Sequence, residues 1–379
     1  MRKIQMCDLQ TQYEHIKPEI DAAIQSVIDS GAFVKGPQVT AFCEHLQTYT
    51  GAKHVIGVAN GTEALQIALM ALGLKPGDEV ITPTFTFIAT AEVVALLGLT
   101  PVLVDVDYDT MNISVDAISR AITPRTKAIV PVHLFGQCAN MEEILAIAQS
   151  HNLYVVEDAC QAIGAKYHFT DGHIAQAGTM GTIGCTSFFP SKNLGCYGDG
   201  GALFTNDDTL AERIRTIANH GMVVRYHHDL IGVNSRLDSI QAAILDTKLP
   251  YLDNYIEARC QAAGFYDAAF RTNHALLIPS REKQSTHVFH QYTLRIVGGR
   301  EKRDALRKSL EVKNIPAMIY YPIPLHQQVA YRDDRYHDGD FPNAERLAAT
   351  VLSLPMHTEL DQEQLEYISS TVNELCRQD

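Results

Sequence analysis

The chain has 379 residues, more than one hydrophobic core usually serves, so a large domain with a smaller one packed against it is expected. Apolar residues make up 46% and charged residues 20%, an ordinary globular balance, and no apolar run is long enough to span a membrane. The formal net charge of -13 disfavours general affinity for nucleic acid or anionic lipid, so any anion site must be built locally.

The first stretch, MRKIQMCDLQTQYEH, has two early basic residues but no apolar signal-peptide core, which points to a cytoplasmic chain. Residues 11–30 place Ile16, Ile20, Ile24, Val27 and Ile28 at helical spacing ahead of Gly31, predicting one amphipathic helix. Short β-branched runs then alternate with helical stretches: HVIGV (54–58), EVITP (79–83), PVLVDV (101–106), KAIVPVH (127–133), LYVVED (153–158), CTSFF (185–189) and GALFT (201–205). Seven such runs predict an α/β fold, a mainly parallel seven-stranded sheet between helices, with ligands beyond the strand ends. A helical stretch covers 235–260, after which strands such as HQYTLRIV (290–297) become sparser. The boundary is therefore set near 250, with a large domain at 1–250 and a smaller α+β domain at 251–379.

Eight cysteines are scattered without a CxxC pair, which argues for reduced thiols and against a zinc site. His227-His228-Asp229 also fits no common zinc spacing, so no metal is expected.

The segment SFFPSKNLGCYGDGGA (187–202) holds one lysine, Lys192, in a loop followed by Gly195, Gly198, Gly200 and Gly201. Glycines there allow positive φ and close approach of a flat ligand. A loop lysine buried beside them loses part of its preference for charge and becomes a nucleophilic amine suited to Schiff-base chemistry. The plainer reading is an exposed loop lysine. Asp158 ends an apolar strand, where a buried carboxylate can hold the proton of a pyridine nitrogen; equally, it can cap a helix. Gln161 follows, a neutral amide able to face a phenolic oxygen. In VIGVANGTEALQIALMAL (55–72) a strand runs through Asn60-Gly61-Thr62 into a helix, whose free amides and positive dipole end suit a phosphate; otherwise Thr62 is an ordinary cap. Ser187 adds a hydroxyl. In TPTFTFIAT (82–90), Phe85 or Phe87 can stack on a ring, although an aromatic in such a run is more often core. Together these residues point to pyridoxal 5′-phosphate (PLP) as cofactor.

The motifs NGTEAL, TFTFIAT, VVEDACQAIGA, SFFPSKNLG, GDGGA and GVNSRLDSIQAAIL, in this order, resemble the DegT/DnrJ/EryC1/StrS sugar aminotransferases, a branch of fold-type I PLP enzymes. The resemblance implies that Lys192 bonds to the cofactor and shuttles protons, with Asp158 on the pyridine nitrogen and Gln161 near the phenolic oxygen. It implies Phe87 as the stacking aromatic and Gly61, Thr62 and Ser187 on the phosphate. Asn234 would reach the phosphate of the neighbouring subunit's cofactor, in a homodimer with shared sites. GCYGDGGA, RYHH (225–228) and YYPIPLHQQ (320–328) bring the chain nearest to members that aminate UDP-2-acetamido-2-deoxy-3-oxo-glucuronate for lipopolysaccharide O-antigen, with L-glutamate as donor. In those, the arginine matching Arg236 holds the sugar carboxylate across the dimer, against the simpler reading of an ion pair with Asp238. Tyr320 and Tyr321 would line the sugar pocket. The alternatives are a 4-keto-6-deoxy nucleotide-sugar aminotransferase, a PLP-dependent sugar dehydratase, and a PLP-binding regulatory relative without activity.

Overall fold

The computed structural model describes residues 2–377. The expected N-terminal helix is two, α1 (Leu9–His15) and α2 (Lys17–Ser30), meeting at Ile16. Pro18 is the cause: it has no N–H to donate to the carbonyl four residues back, and its ring clashes there, so the helix restarts. Gly31 closes α2 in the left-handed conformation.

After α3 (Pro37–Thr50) the chain enters β1 (His54–Val58), α4 (Gly61–Ala71), β2 (Glu79–Pro83), α5 (Ala89–Leu96) and β3 (Thr100–Val104). It continues through α6 (Val115–Ala121), β4 (Thr126–Ile129), α7 (Met141–His151) and β5 (Tyr154–Asp158). A small hairpin, β6 (Lys166–His168) and β7 (Ile174–Gln176), precedes β8 (Ile183–Ser187), β9 (Gly201–Thr205) and α8 (Asp208–Ala218). The seven long strands form one sheet in the order β1-β9-β8-β5-β4-β2-β3. Only β9 opposes its neighbours; the other pairings are parallel. The strand signals hold where segments are buried on both faces, as strands covered by helices on both sides must be: β2, β8 and β9 are buried at every position.

Successive strand residues face opposite sides of the sheet. In β5, Val156 packs in the cluster with Ala64, Leu65 and Ile67 of α4 and Ile214 of α8. Val155 packs on the other face with Ile144 and Ala148 of α7. The same alternation sends Asp158 to the α4 side and Glu157 to the α7 side. Glu157 is wholly buried there and accepts from the amides of Gly178 and Met180 and from the His133 ring at 2.8 Å, so its charge is spent on a structural network.

Beyond α9 (Ser239–Lys248) and the long α10 (Leu252–Phe270), a three-stranded antiparallel sheet is built from β10 (Leu276–Leu277), β11 (Tyr292–Ile296) and β12 (Val351–Leu354). It is covered by α10, α11 (Gly299–Val312), α12 (Pro342–Thr350) and α13 (Gln362–Arg377). Its core includes Tyr266, Phe270, Tyr292, Leu294 and Leu352, and Ile4 joins it from the start of the chain. No helix among the described residues is long and apolar enough to cross a membrane.

Candidate active site

The C-terminal ends of β5 and β8 and the N-terminal end of α4 meet at one point. Gly61 opens α4 so close to its neighbours that an added Cβ would lie 2.8 Å from Cys160 Sγ and 2.8 Å from Ser187 Cβ. Glycine is therefore required here by approach, whatever its φ. The N-cap of α4 is Asn60, whose side chain accepts the Glu63 amide at 2.8 Å. Thr62 is not the cap, which leaves its hydroxyl and the Gly61 and Thr62 amides at the positive end of an 11-residue helix beside Ser187.

Asp158 is buried, with no α-helix after it, so its carboxylate is not a helix cap. Its Oδ2 accepts from Thr90 Oγ1 at 2.9 Å and its Oδ1 from the Cys160 amide at 3.3 Å. Both oxygens thus have donors, as a buried polar group requires. Thr90 closes the TFTFIAT motif and was not singled out in the sequence, because nothing local indicates that its hydroxyl meets a carboxylate 68 residues away.

Gln161 is oriented from both ends. The Phe135 amide donates to Oε1 at 2.7 Å, and Nε2 donates to the Tyr321 hydroxyl at 3.1 Å. Burial pushes the Tyr321 hydroxyl well above the ordinary tyrosine range, so it stays protonated. Tyr321 is held in place because the Leu325 amide and the His326 ring bind Thr84 at the end of β2. Its ring lies 6.3 Å from Phe87 and 6.1 Å from Phe85, with Tyr320 edge-on at 6.0 Å. The two phenylalanines separate cleanly: Phe85 is 1% exposed and belongs to the core, while Phe87 is 53% exposed and open to the crevice.

Lys192 is half-buried in the turn after β8, its amide bound to the Phe189 carbonyl at 2.8 Å. Enclosure by the protein pushes its ammonium below the ordinary lysine range, opposed in part by Cys160 and Asp158 nearby. The glycines after it do not adopt positive φ, contrary to expectation. They are needed for close packing against protein: a Cβ on Gly201 would strike the Asn60 backbone, and one on Gly195 the carbonyls of Pro190 and Phe189.

Gly61, Thr62, Phe87, Asp158, Gln161, Ser187, Lys192, Tyr320 and Tyr321 thus gather around one crevice. Asn234 and Arg236 do not. Asn234 is exposed and bridges to Asn219, while Arg236 lines a cavity of about 1000 Å³ with Lys35, Arg213 and Arg215, which none of the crevice residues borders. No ion pair joins Arg236 to Asp238 among the described residues; Asp238 instead bridges by its backbone to Val34.

This lysine–aspartate crevice between a strand end and a helix N-terminus coincides with a sequence-wide match. The family model described as the DegT/DnrJ/EryC1/StrS aminotransferase family fits residues 14–373. The chain belongs to this aminotransferase family. It is 47% identical over 369 residues, 97% of this chain and 99% of the relative, to the "UDP-2-acetamido-2-deoxy-3-oxo-D-glucuronate aminotransferase" of Pseudomonas aeruginosa. It is 46% identical over 376 residues, 99% of each chain, to the "Pleiotropic regulatory protein" of Geobacillus stearothermophilus. Among solved structures, DesV of S. venezuelae in complex with a ketimine intermediate superposes with a TM-score of 0.94 at 38% identity, over 99% of both chains. The family's fold, a seven-stranded mostly parallel sheet flanked by helices, is the one described above.

Proposed function

We propose that this chain is a PLP-dependent sugar-nucleotide aminotransferase that moves an amino group from L-glutamate to UDP-2-acetamido-2-deoxy-3-oxo-glucuronate, serving lipopolysaccharide O-antigen synthesis in the cytoplasm. The observation that carries the reading is Lys192, its charge disfavoured by enclosure, facing the same crevice as the buried Asp158 carboxylate. No disulfide joins the eight cysteines among the described residues, which accords with a reducing compartment. The substrate rests on the 47% identity to the named uronate aminotransferase.

The donor set fits the cofactor. Bound PLP supplies an aldehyde for imine exchange and an electron-withdrawing pyridinium ring. Asp158, steadied by Thr90, holds the proton on the ring nitrogen. The Gly61 and Thr62 amides and the Ser187 hydroxyl receive the phosphate. Phe87 stacks on the ring, and Gln161 presents a neutral amide to the phenolic oxygen. Lys192 Nζ would take the proton from Cα of glutamate and deliver the corresponding proton to the sugar carbon in the second half of the cycle. Tyr320 and Tyr321 line the sugar pocket.

Asn234 and Arg236 act in the neighbouring copy's site, so the working unit is a homodimer. Support comes from the segment that carries them: Val223, Tyr226 and Ile231 are 75%, 76% and 89% exposed, an apolar surface that one chain leaves uncovered. Arg236 there offers a guanidinium fork to the uronate carboxylate.

The purified chain reconstituted with PLP is expected to show a visible absorption band that L-glutamate bleaches and the 3-oxo-uronate restores. Restoration only by a 4-keto-6-deoxy nucleotide sugar overturns the substrate but keeps the chemistry. Failure to form any band overturns the proposal.

A further inference from the structure

A second lysine lies behind the crevice. Lys248 closes α9 and is 1% exposed, one of the largest fully enclosed side chains of the fold. Its ammonium donates to the Gly195 carbonyl at 2.8 Å and stands 4.8 Å from the centre of the Tyr197 ring. Both partners belong to the turn that carries Lys192. That turn is folded back on itself, with the Lys192 amide on the Phe189 carbonyl and the Cys196 amide on the Phe188 carbonyl at 2.9 Å. Lys248 is thus a cation from a different helix that grips the closing end of the turn.

Besides the Gly195 carbonyl, the groups that bear on Lys248 among the described residues are thiols and a ring, with no carboxylate. Cys196 and Tyr197 face it from the turn and Cys7 from the N-terminal segment, with Asp199 acting on Cys196 and Arg259 on Cys7. Burial holds Cys196 up at about 11, Tyr197 up at about 12 and Cys7 above its ordinary value, so burial favours the neutral form of all three. The Lys248 ammonium, in contrast, is pushed down to about 8 by enclosure. The unfolded chain, with lysine near 10.5, binds more protons than the folded chain between those values, so stability rises with pH across that window. At neutral pH the buried charge therefore costs stability, and an apolar side chain of equal length would suit the fold better.

We propose that Lys248 is a positioning residue: its buried ammonium pins the Gly195 carbonyl and so fixes the turn that presents Lys192. Any consequence for turnover rests on Lys192 as the reactive amine, but the pinning is measurable without that reading. A charged donor holds a carbonyl more strongly than a neutral amine, and only the cation is attracted to the Tyr197 ring face.

The test is hydrogen exchange by mass spectrometry on the full chain as purified, following peptides across 188–196 from pH 6.5 to 9.5 with intrinsic rates divided out. A local opening that leaves Lys248 enclosed takes the Gly195 carbonyl from its ammonium and lowers its proton affinity further, so wild-type protection of this turn, unlike global stability, is expected to fall as pH rises through about 8. Lys248→Met should expose the turn roughly tenfold at pH 7, the loss of about one charged hydrogen bond, with a flat pH profile and a thermal midpoint equal to or above wild type. A flat wild-type profile overturns the proposal and needs no variant that might misfold. Unchanged protection in Lys248→Met, or a lowered midpoint with faster exchange everywhere, also overturns it. Lys192→Ala should leave the protection intact; if that variant still turned over, the catalytic reading of Lys192 would fall while the pinning by Lys248 stood.

Discussion

The crevice around Lys192 and the 219–237 segment carry their proposed functional residues in opposite ways. In the crevice three polar side chains are steadied by other parts of the same chain: Asp158 by Thr90, Gln161 by Phe135 and Tyr321, and Tyr321 through the turn bound to Thr84. The 219–237 segment presents Asn234 and Arg236 beside exposed Val223, Tyr226 and Ile231, with a large cavity and no internal target. Parallel strand ends converge on a crevice that one sheet can complete, whereas an exposed apolar segment with a guanidinium reads as half of a site that a second copy finishes.

Four substitutions test that contrast. Lys192→Ala should lower kcat by at least about 10⁴-fold, since it removes both the amine and the proton carrier; activity retained without added amine breaks the account of the crevice. Arg236→Ala should lower kcat/KM for the keto sugar by roughly 10- to 100-fold while sparing the glutamate half-reaction. Mixing these two variants, with subunit exchange, should raise activity at low keto-sugar concentration to roughly a quarter of wild type, because hybrid dimers regain one intact site; no recovery would place Arg236 in its own chain's site. Thr90→Val keeps shape but removes the hydroxyl from Asp158, and should cost roughly tenfold in kcat with the thermal midpoint nearly unchanged. A midpoint that fell sharply would instead make Thr90 a folding residue. Ile231→Ser should leave monomer stability alone and raise the dimer dissociation constant by about tenfold, as expected for exposing one large apolar side chain. An unchanged dimer would show that Ile231 stays exposed in the assembly.

Much of the crevice is readable along the chain because it is local. The run VVEDACQAIGA places a carboxylate at a strand end, NGTEAL opens a helix after a strand, and SFFPSKNLG sets a lysine in a turn. Backbone sterics and the twofold strand repeat act within a few residues, so strands, helix starts and the mainly parallel sheet follow from spacing. The single N-terminal helix fails for an equally local reason, because Pro18 outranks the apolar repeat around it.

The remaining assignments depended on which segments meet. That Phe87 rather than Phe85 opens to the crevice and that Thr90 finds Asp158 are outcomes of packing between β2, β5 and α5. The glycines after Lys192 follow the same rule, since what excludes a Cβ there is the Asn60 backbone and neighbouring carbonyls, not their own torsions. Lys248 shows it most plainly: in sequence it is one lysine within the helical stretch 235–260, and only the placement of α9 against the turn puts its ammonium on the Gly195 carbonyl. The sequence alone determined the period of each element and the chemical types at the strand ends, because those follow from short-range sterics. The tertiary structure decided the partners, because hydrogen bonds and burial between residues tens to hundreds of positions apart depend on strand order and helix packing.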